Sequence, residues 1–112
     1  MLPAKNRLTK NREFISIFKK GRSIYSGSLG LKYLSNDLGV NRVGILVGVK
    51  VSKLAVRRNL YKRRLRAIFS QENKNLKQGY DLVIITKTEI KNLPYQDLHK
   101  NLNDLLVKSG LK

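Results

Sequence analysis

The sequence predicts an α+β layer fold in one domain spanning residues 1–112. Three observations predict it. Two stretches carry apolar residues with period two, a third is a continuous β-branched run, and three more carry apolar residues at helical spacing, giving the order αββ(β)αβα. A chain of 112 residues has room for one compact domain with a modest core.

The first helix starts after Thr9, an N-cap residue type, and places Phe14, Ile17 and Phe18 at helical spacing over Lys10–Lys20 before Gly21 stops it as a C′ residue. From Ser28 to Leu34 the chain alternates, with Leu29, Leu31 and Tyr33 on one face and Gly30, Lys32 and Leu34 on the other. Asn36-Asp37-Leu38-Gly39 reads as a turn. Val43, Ile45, Val47 and Val49 then repeat with period two through Val51, and these two alternating segments suggest an antiparallel pair. Ala55 to about Phe69 has helical composition, and Gln71 to Gln78 is a polar connection. Gly79 introduces Tyr80–Thr86, whose unbroken apolar run suits a buried strand. Past Pro94, Leu98, Leu102, Leu105 and Leu106 fall at i, i+4, i+7 and i+8, so a last helix covers the sheet and Gly110 closes it.

Composition excludes several function classes. The chain has no cysteine and one histidine, which removes disulfides, cysteine nucleophiles and zinc sites. No stretch approaches the roughly 18 consecutive apolar residues of a membrane span, and no apolar signal core precedes the first charges, so a soluble, cytoplasmic protein without a membrane partner is expected. Glu13, Asp37, Glu72, Asp81, Glu89, Asp97 and Asp104 are scattered, and His99 lies between leucines as a surface residue. A protein-only nuclease needs clustered carboxylates or a paired base and nucleophile, and no catalytic or metal-binding residue is expected here.

What remains is charge: 24 Lys and Arg against 7 Asp and Glu give a formal net charge of +17. Between Leu38 and Gln71 there is no acidic residue, whereas Arg42, Lys50, Lys53, Arg57, Arg58, Lys62, Arg63, Arg64 and Arg66 are basic. At 100° per residue Arg58, Lys62 and Arg66 stack along a helix with Asn59 and Arg63 beside them, while Tyr61, Leu65 and Ile68 form a separate stripe that can pack on the sheet. Like charges at i, i+4 oppose the helix by a few tenths of a kcal/mol per pair, so an unrelieved row points to a polyanion that supplies the missing negative charge. Arginine also donates bidentately to phosphate and stacks on bases. Lys5, Arg7, Lys10 and Arg12 form a second, terminal basic arm. Phe14 and Phe18 fit a core by spacing alone; on an open surface they, with Tyr33, would offer stacking platforms worth on the order of 1–3 kcal/mol per base. Composition equally fits a ribosomal protein or an RNA chaperone, and fits a DNA-binding helix module less well because no second helix and tight turn accompany the basic one.

Arg42-Val43-Gly44, the segment Val51-Ser52-Lys53 and the run from Ala55 to Arg66, together with Lys5-Asn6-Arg7-Leu8 and Phe18-Lys19-Lys20-Gly21, resemble the protein subunit of bacterial ribonuclease P across nearly the whole chain. The sequence departs from that family's pattern at Leu60, where the motif has arginine, and in the short connection from Lys53 to Ala55. The resemblance implies an α-β sandwich of order αβββαβα, a four-stranded sheet with a left-handed βαβ crossover through the basic helix. It implies that Lys53, Arg57, Arg58, Asn59, Lys62, Arg63 and Arg66 face a catalytic RNA. It also implies that a cleft between that helix and the sheet, holding Phe14, Phe18 and Tyr33, takes the single-stranded 5′ leader of precursor tRNA, with Arg7, Arg12 and Arg42 as supporting basic contacts. In that family the RNA, with bound magnesium, hydrolyses the phosphodiester. The protein, a monomer on its own, holds no cofactor and assists endonucleolytic removal of the leader.

Overall fold

The computed structural model describes residues 2–91 and 93–112. Helix α1 spans Asn11–Lys20, followed by strands β1 (Arg22–Ser26), β2 (Leu29–Ser35) and β3 (Arg42–Leu46), helix α2 (Ala55–Glu72), strand β4 (Tyr80–Thr86) and helix α3 (Tyr95–Ser109). Single 3₁₀ turns stand at Ala4–Asn6, Asn73–Asn75 and Thr88–Ile90. The order is the expected αβββαβα, and the four strands make one mixed sheet in the order β1-β2-β4-β3.

Pairing differs from the expected antiparallel contact between the second and third strands. β4 lies between them, antiparallel to β2 with Leu29 opposite Thr86 and Tyr33 opposite Leu82, and parallel to β3 with Arg42 opposite Asp81. The physical reason is burial. The continuous apolar run of β4 needs a neighbour on both edges and cover on both faces, which only a central position supplies. β3 and β4 are therefore joined by a crossover through α2. β3 also ends earlier than its alternation suggests. The Thr86 hydroxyl donates to the Leu46 carbonyl at 3.0 Å, and beyond it the chain turns, Val51 N–H bonding Gly48 O, so that Val47 and Val51 still reach the core from a loop. β1, absent from the residue-based reading, is a short edge strand paired antiparallel to β2 through a two-residue turn at Gly27-Ser28. The Asn101 side chain of α3 accepts from the Ser28 N–H and donates to the Ser26 carbonyl, fixing that turn.

The sheet separates two apolar clusters. On one face Leu29, Leu31, Val43, Ile45, Leu82 and Ile84 meet Tyr61, Leu65, Ile68 and Phe69 of α2 and the four leucines of α3. On the other face Val83, Leu34 and Ile85 meet Phe14 and Ile17 of α1 and Leu8 of the N-terminal segment. Fully burying a leucine or phenylalanine contributes about 1.5–3 kcal/mol, so the larger cluster dominates stability and the α1 side is lightly built. α1 begins one residue later than Thr9 would cap it: Lys10 is the N-cap, and its backbone N–H donates to Glu13 Oε1 at 3.2 Å. α3 ends as expected at Gly110, whose φ of 84° is the left-handed conformation glycine tolerates. Asn41, 1 % exposed, ties the parts together: its side chain donates to Asn73 and the Lys77 carbonyl and accepts from the Tyr80 N–H, while its carbonyl accepts from Asn6. Among the described residues no helix is long and apolar enough to cross a membrane.

Candidate nucleic-acid interface

Two surfaces carry the residues singled out by sequence, and they lie on opposite faces of the sheet. The first is α2. Its buried positions Tyr61, Leu65, Ile68 and Phe69 recur at i, i+4, i+7 and i+8, which fixes the helix rotation and turns the remaining positions outward. Arg57, Asn59, Arg63 and Arg66 are exposed and Arg58 and Lys62 are half-exposed, with exposed Lys53 on the loop that leads in. Asn59, Lys62, Arg63 and Arg66 line one shallow hollow with Val56. Arg63 and Arg66 border a second hollow, against Leu2 and Ala67, that is shared with Arg7, so one member of the basic arm joins the helical row. Arg7 is placed there by backbone pairing: it bridges to Val43, and its Nε donates to the Leu2 carbonyl at 2.9 Å. Arg12 is exposed on α1, on the other side of the sheet.

The charges of α2 are not neutralised within the chain. Among the described residues the ion pairs are Arg42 with Glu13 and Asp81, and His99 and Lys112 with Glu72; none uses a cation of α2. Arg58 has other employment, since its guanidinium donates to the carbonyls of Ser52 and Lys53 at 2.9 and 3.0 Å and so closes the loop before the helix. A residue that sequence reasoning missed, Lys91, lines a hollow with Lys53, Arg57 and Tyr61 at the start of α2. Nothing local in sequence relates position 91 to positions 53–57; the fold alone joins them.

Arg42 is placed differently from the expectation of a supporting contact. Its guanidinium meets Asp81 through two bonds of 2.8 and 2.7 Å and Glu13 at 2.5 Å. Both carboxylates are consumed by it, so its charge serves the fold, pinning the start of α1 to β3 and β4. Burial alone would raise the Glu13 carboxyl, but the Lys10 N–H and the Arg42 guanidinium outweigh this and hold it below its ordinary value. The Arg42 guanidinium is held charged in turn, chiefly by its bond to Asp81. His99, read as an unpartnered surface residue, stands 3.7 Å from Glu72, whose carboxyl is lowered mainly by the hydrogen bond from Lys112.

The second surface is the face of the sheet under α1. Phe14 and Phe18 lie here, and therefore not between α2 and the sheet, where the expected cleft is filled by core residues. The Phe14 ring rests on the backbone of Gly44, and the Tyr25 ring rests on Gly30; a Cβ at either glycine would collide with the ring. Phe18 is 41 % exposed, and Lys32 Nζ stands 5.3 Å from its ring centroid. Lys87 Nζ stands 5.2 Å from the Tyr25 ring centroid, and Tyr25 is 49 % exposed. An open face with aromatic rings and ammonium groups above them is suited to unstacked bases and their phosphates. Tyr33 is not part of this surface. Strand alternation turns it to the α3 side, where it packs against the larger core, and puts Lys32 beside Phe18 in its place. Among the described residues no three of His, Asp and Glu gather as a metal-holding group.

The chain matches the family model described as Ribonuclease P over residues 2–110. It is 41 % identical over 110 residues to the ribonuclease P protein component of Pseudanabaena sp., covering 97 % of this chain and 95 % of that one. The structure of the Staphylococcus aureus RNase P protein superposes with a TM-score of 0.88 at 26 % identity, covering 95 % of this chain and 96 % of that one. The RNase P protein from Thermotoga maritima superposes with a TM-score of 0.84 at 29 % identity, covering 91 % and 96 %.

Proposed function

The chain belongs to the ribonuclease P protein family, components of a tRNA-processing ribonucleoprotein nuclease, and from that premise we propose how its two surfaces divide the work. α2 binds the catalytic RNA of ribonuclease P through Lys53, Arg57, Asn59, Lys62, Arg63 and Arg66, joined by Arg7 and Lys91. The face under α1, with Phe18 as its most exposed ring and Phe14 as part of its floor, takes the single-stranded 5′ leader of precursor tRNA. Magnesium-dependent hydrolysis belongs to the RNA. The protein contributes binding energy and position.

The observation that carries this reading is the row of α2 cations without a carboxylate partner among the described residues. A folded RNA repels a second polyanion, its substrate; cations on the protein neutralise phosphates and reduce that repulsion. Contact with the leader adds a term that mature tRNA lacks, so precursor binds more tightly than product and turnover is favoured. Phe18→Ala tests the leader half. Losing one stacking platform costs on the order of 1–3 kcal/mol, and the holoenzyme should lose affinity for leader-bearing tRNA and keep its affinity for mature tRNA. Equal losses on both substrates contradict the assignment.

A further inference from the structure

The turn of Tyr33 to the α3 side leaves it in a site of its own. A hollow of about 420 Å³ opens at the end of the sheet where α1 meets β1, lined by Tyr33, Tyr80, Lys20, Arg22, Lys77 and the last turn of α3 at Ser109. Tyr33 and Tyr80 are diagonal neighbours on β2 and β4 and meet edge to face, with ring centroids 6.4 Å apart and planes at 64°. The Tyr33 hydroxyl donates to the Ser109 carbonyl at 3.3 Å, which holds the ring in place and occupies a carbonyl at the electronegative end of α3. The three cations come from three parts of the chain: the end of α1, the start of β1 and the loop before β4. All three are exposed, no carboxylate lines the hollow, and none of the three enters an ion pair among the described residues.

We propose that this hollow is a second single-stranded RNA site, in which a base meets the Tyr33–Tyr80 pair and the flanking phosphates meet Lys20, Arg22 and Lys77. Its volume suits a nucleotide, and the combination of aromatic rings with uncompensated cations is the one that single-stranded nucleic acid requires. The inference rests on the leader reading and extends it. Lys20 stands two residues beyond Phe18, and Leu34, which packs on the α1 side, also lines the hollow. A strand leaving the face under α1 can round the end of the sheet there, so the occupant is the part of the leader farther from the cleavage site.

Precursor tRNAs carrying a single 4-thiouridine at successive leader positions, bound to the reconstituted holoenzyme and irradiated, test this directly. Positions near the cleavage site should cross-link to the peptide containing Phe18, and more distant ones to peptides containing Tyr33 or Tyr80. Distant positions that cross-link elsewhere overturn the second site while leaving the leader reading intact; no cross-link to either set overturns both. A second measurement compares long and short leaders. Arg22→Glu combined with Lys77→Glu should remove about tenfold of the affinity that the longer leader adds, and a retained advantage would refute the site.

Discussion

At Arg42 one guanidinium bridges carboxylates from α1 and β4, and the position of Phe14, next to Glu13, depends on that bridge. Removing the arginine leaves Asp81, 8 % exposed, without its counter-charge, a change that costs about 3 kcal/mol. The bridge also sets an acid dependence. A carboxyl whose pKa is lower in the folded than in the unfolded chain adds stability that is complete above the unfolded value and is lost as pH falls through the folded one. Glu13 is such a group, so its contribution disappears below its ordinary 4.5. Urea denaturation of Arg42→Ala should show the loss at neutral pH together with a shallower decline through the acid range; an unchanged midpoint would contradict the structural role of the bridge. The sequence exposes Arg42 as a cation but not its partners, because Glu13 and Asp81 are 29 and 39 positions away. The face of Tyr33 was legible: alternation groups it with Leu29 and Leu31, both fully buried, and that grouping outranks its nearness in sequence to the aromatic helix.

α2 shows two selections on one element. Its inward stripe of Tyr61, Leu65, Ile68 and Phe69 gives the packing that holds it to the sheet and α3, while its outward row gives nothing to stability. Arg58, Lys62 and Arg66 at successive i, i+4 positions repel by a few tenths of a kcal/mol per pair. Lys62→Gln with Arg66→Gln should therefore leave the unfolding free energy unchanged or slightly raised. The same pair should weaken binding of the catalytic RNA and reduce the slope of log affinity against log salt by about 2, at roughly 0.9 per phosphate released. An unchanged slope would mean that these residues touch no phosphate. Elements whose own pattern fixes them, α2, β4 and α3, were legible to within a few residues. β1 was not, because Arg22-Ser23-Ile24-Tyr25-Ser26 has one inward apolar residue and owes its form to pairing with β2. Nor was the pairing of β2 and β3 with β4, which is chosen by the central strand's need for burial and not by any local period.

The whole molecule is a sheet with a cationic helix behind it and an aromatic, lysine-bordered face in front. The strands that carry both surfaces are shared, so a single small body can hold two RNA segments on opposite sides at a fixed separation. The larger core lies on the α2 and α3 side, and the lighter α1 side is left open for a ligand. That division was only half legible from the residues: charge and periodicity define the cationic helix, but only the three-dimensional arrangement reveals that the aromatic residues lie across the sheet from it. The central claim is that the uncompensated cations of this chain act on RNA within ribonuclease P. Reconstitution with the cognate RNA at low magnesium tests it most directly. Cleavage of precursor tRNA should rise sharply when this chain is added, and cleavage that is the same with and without it would contradict the account.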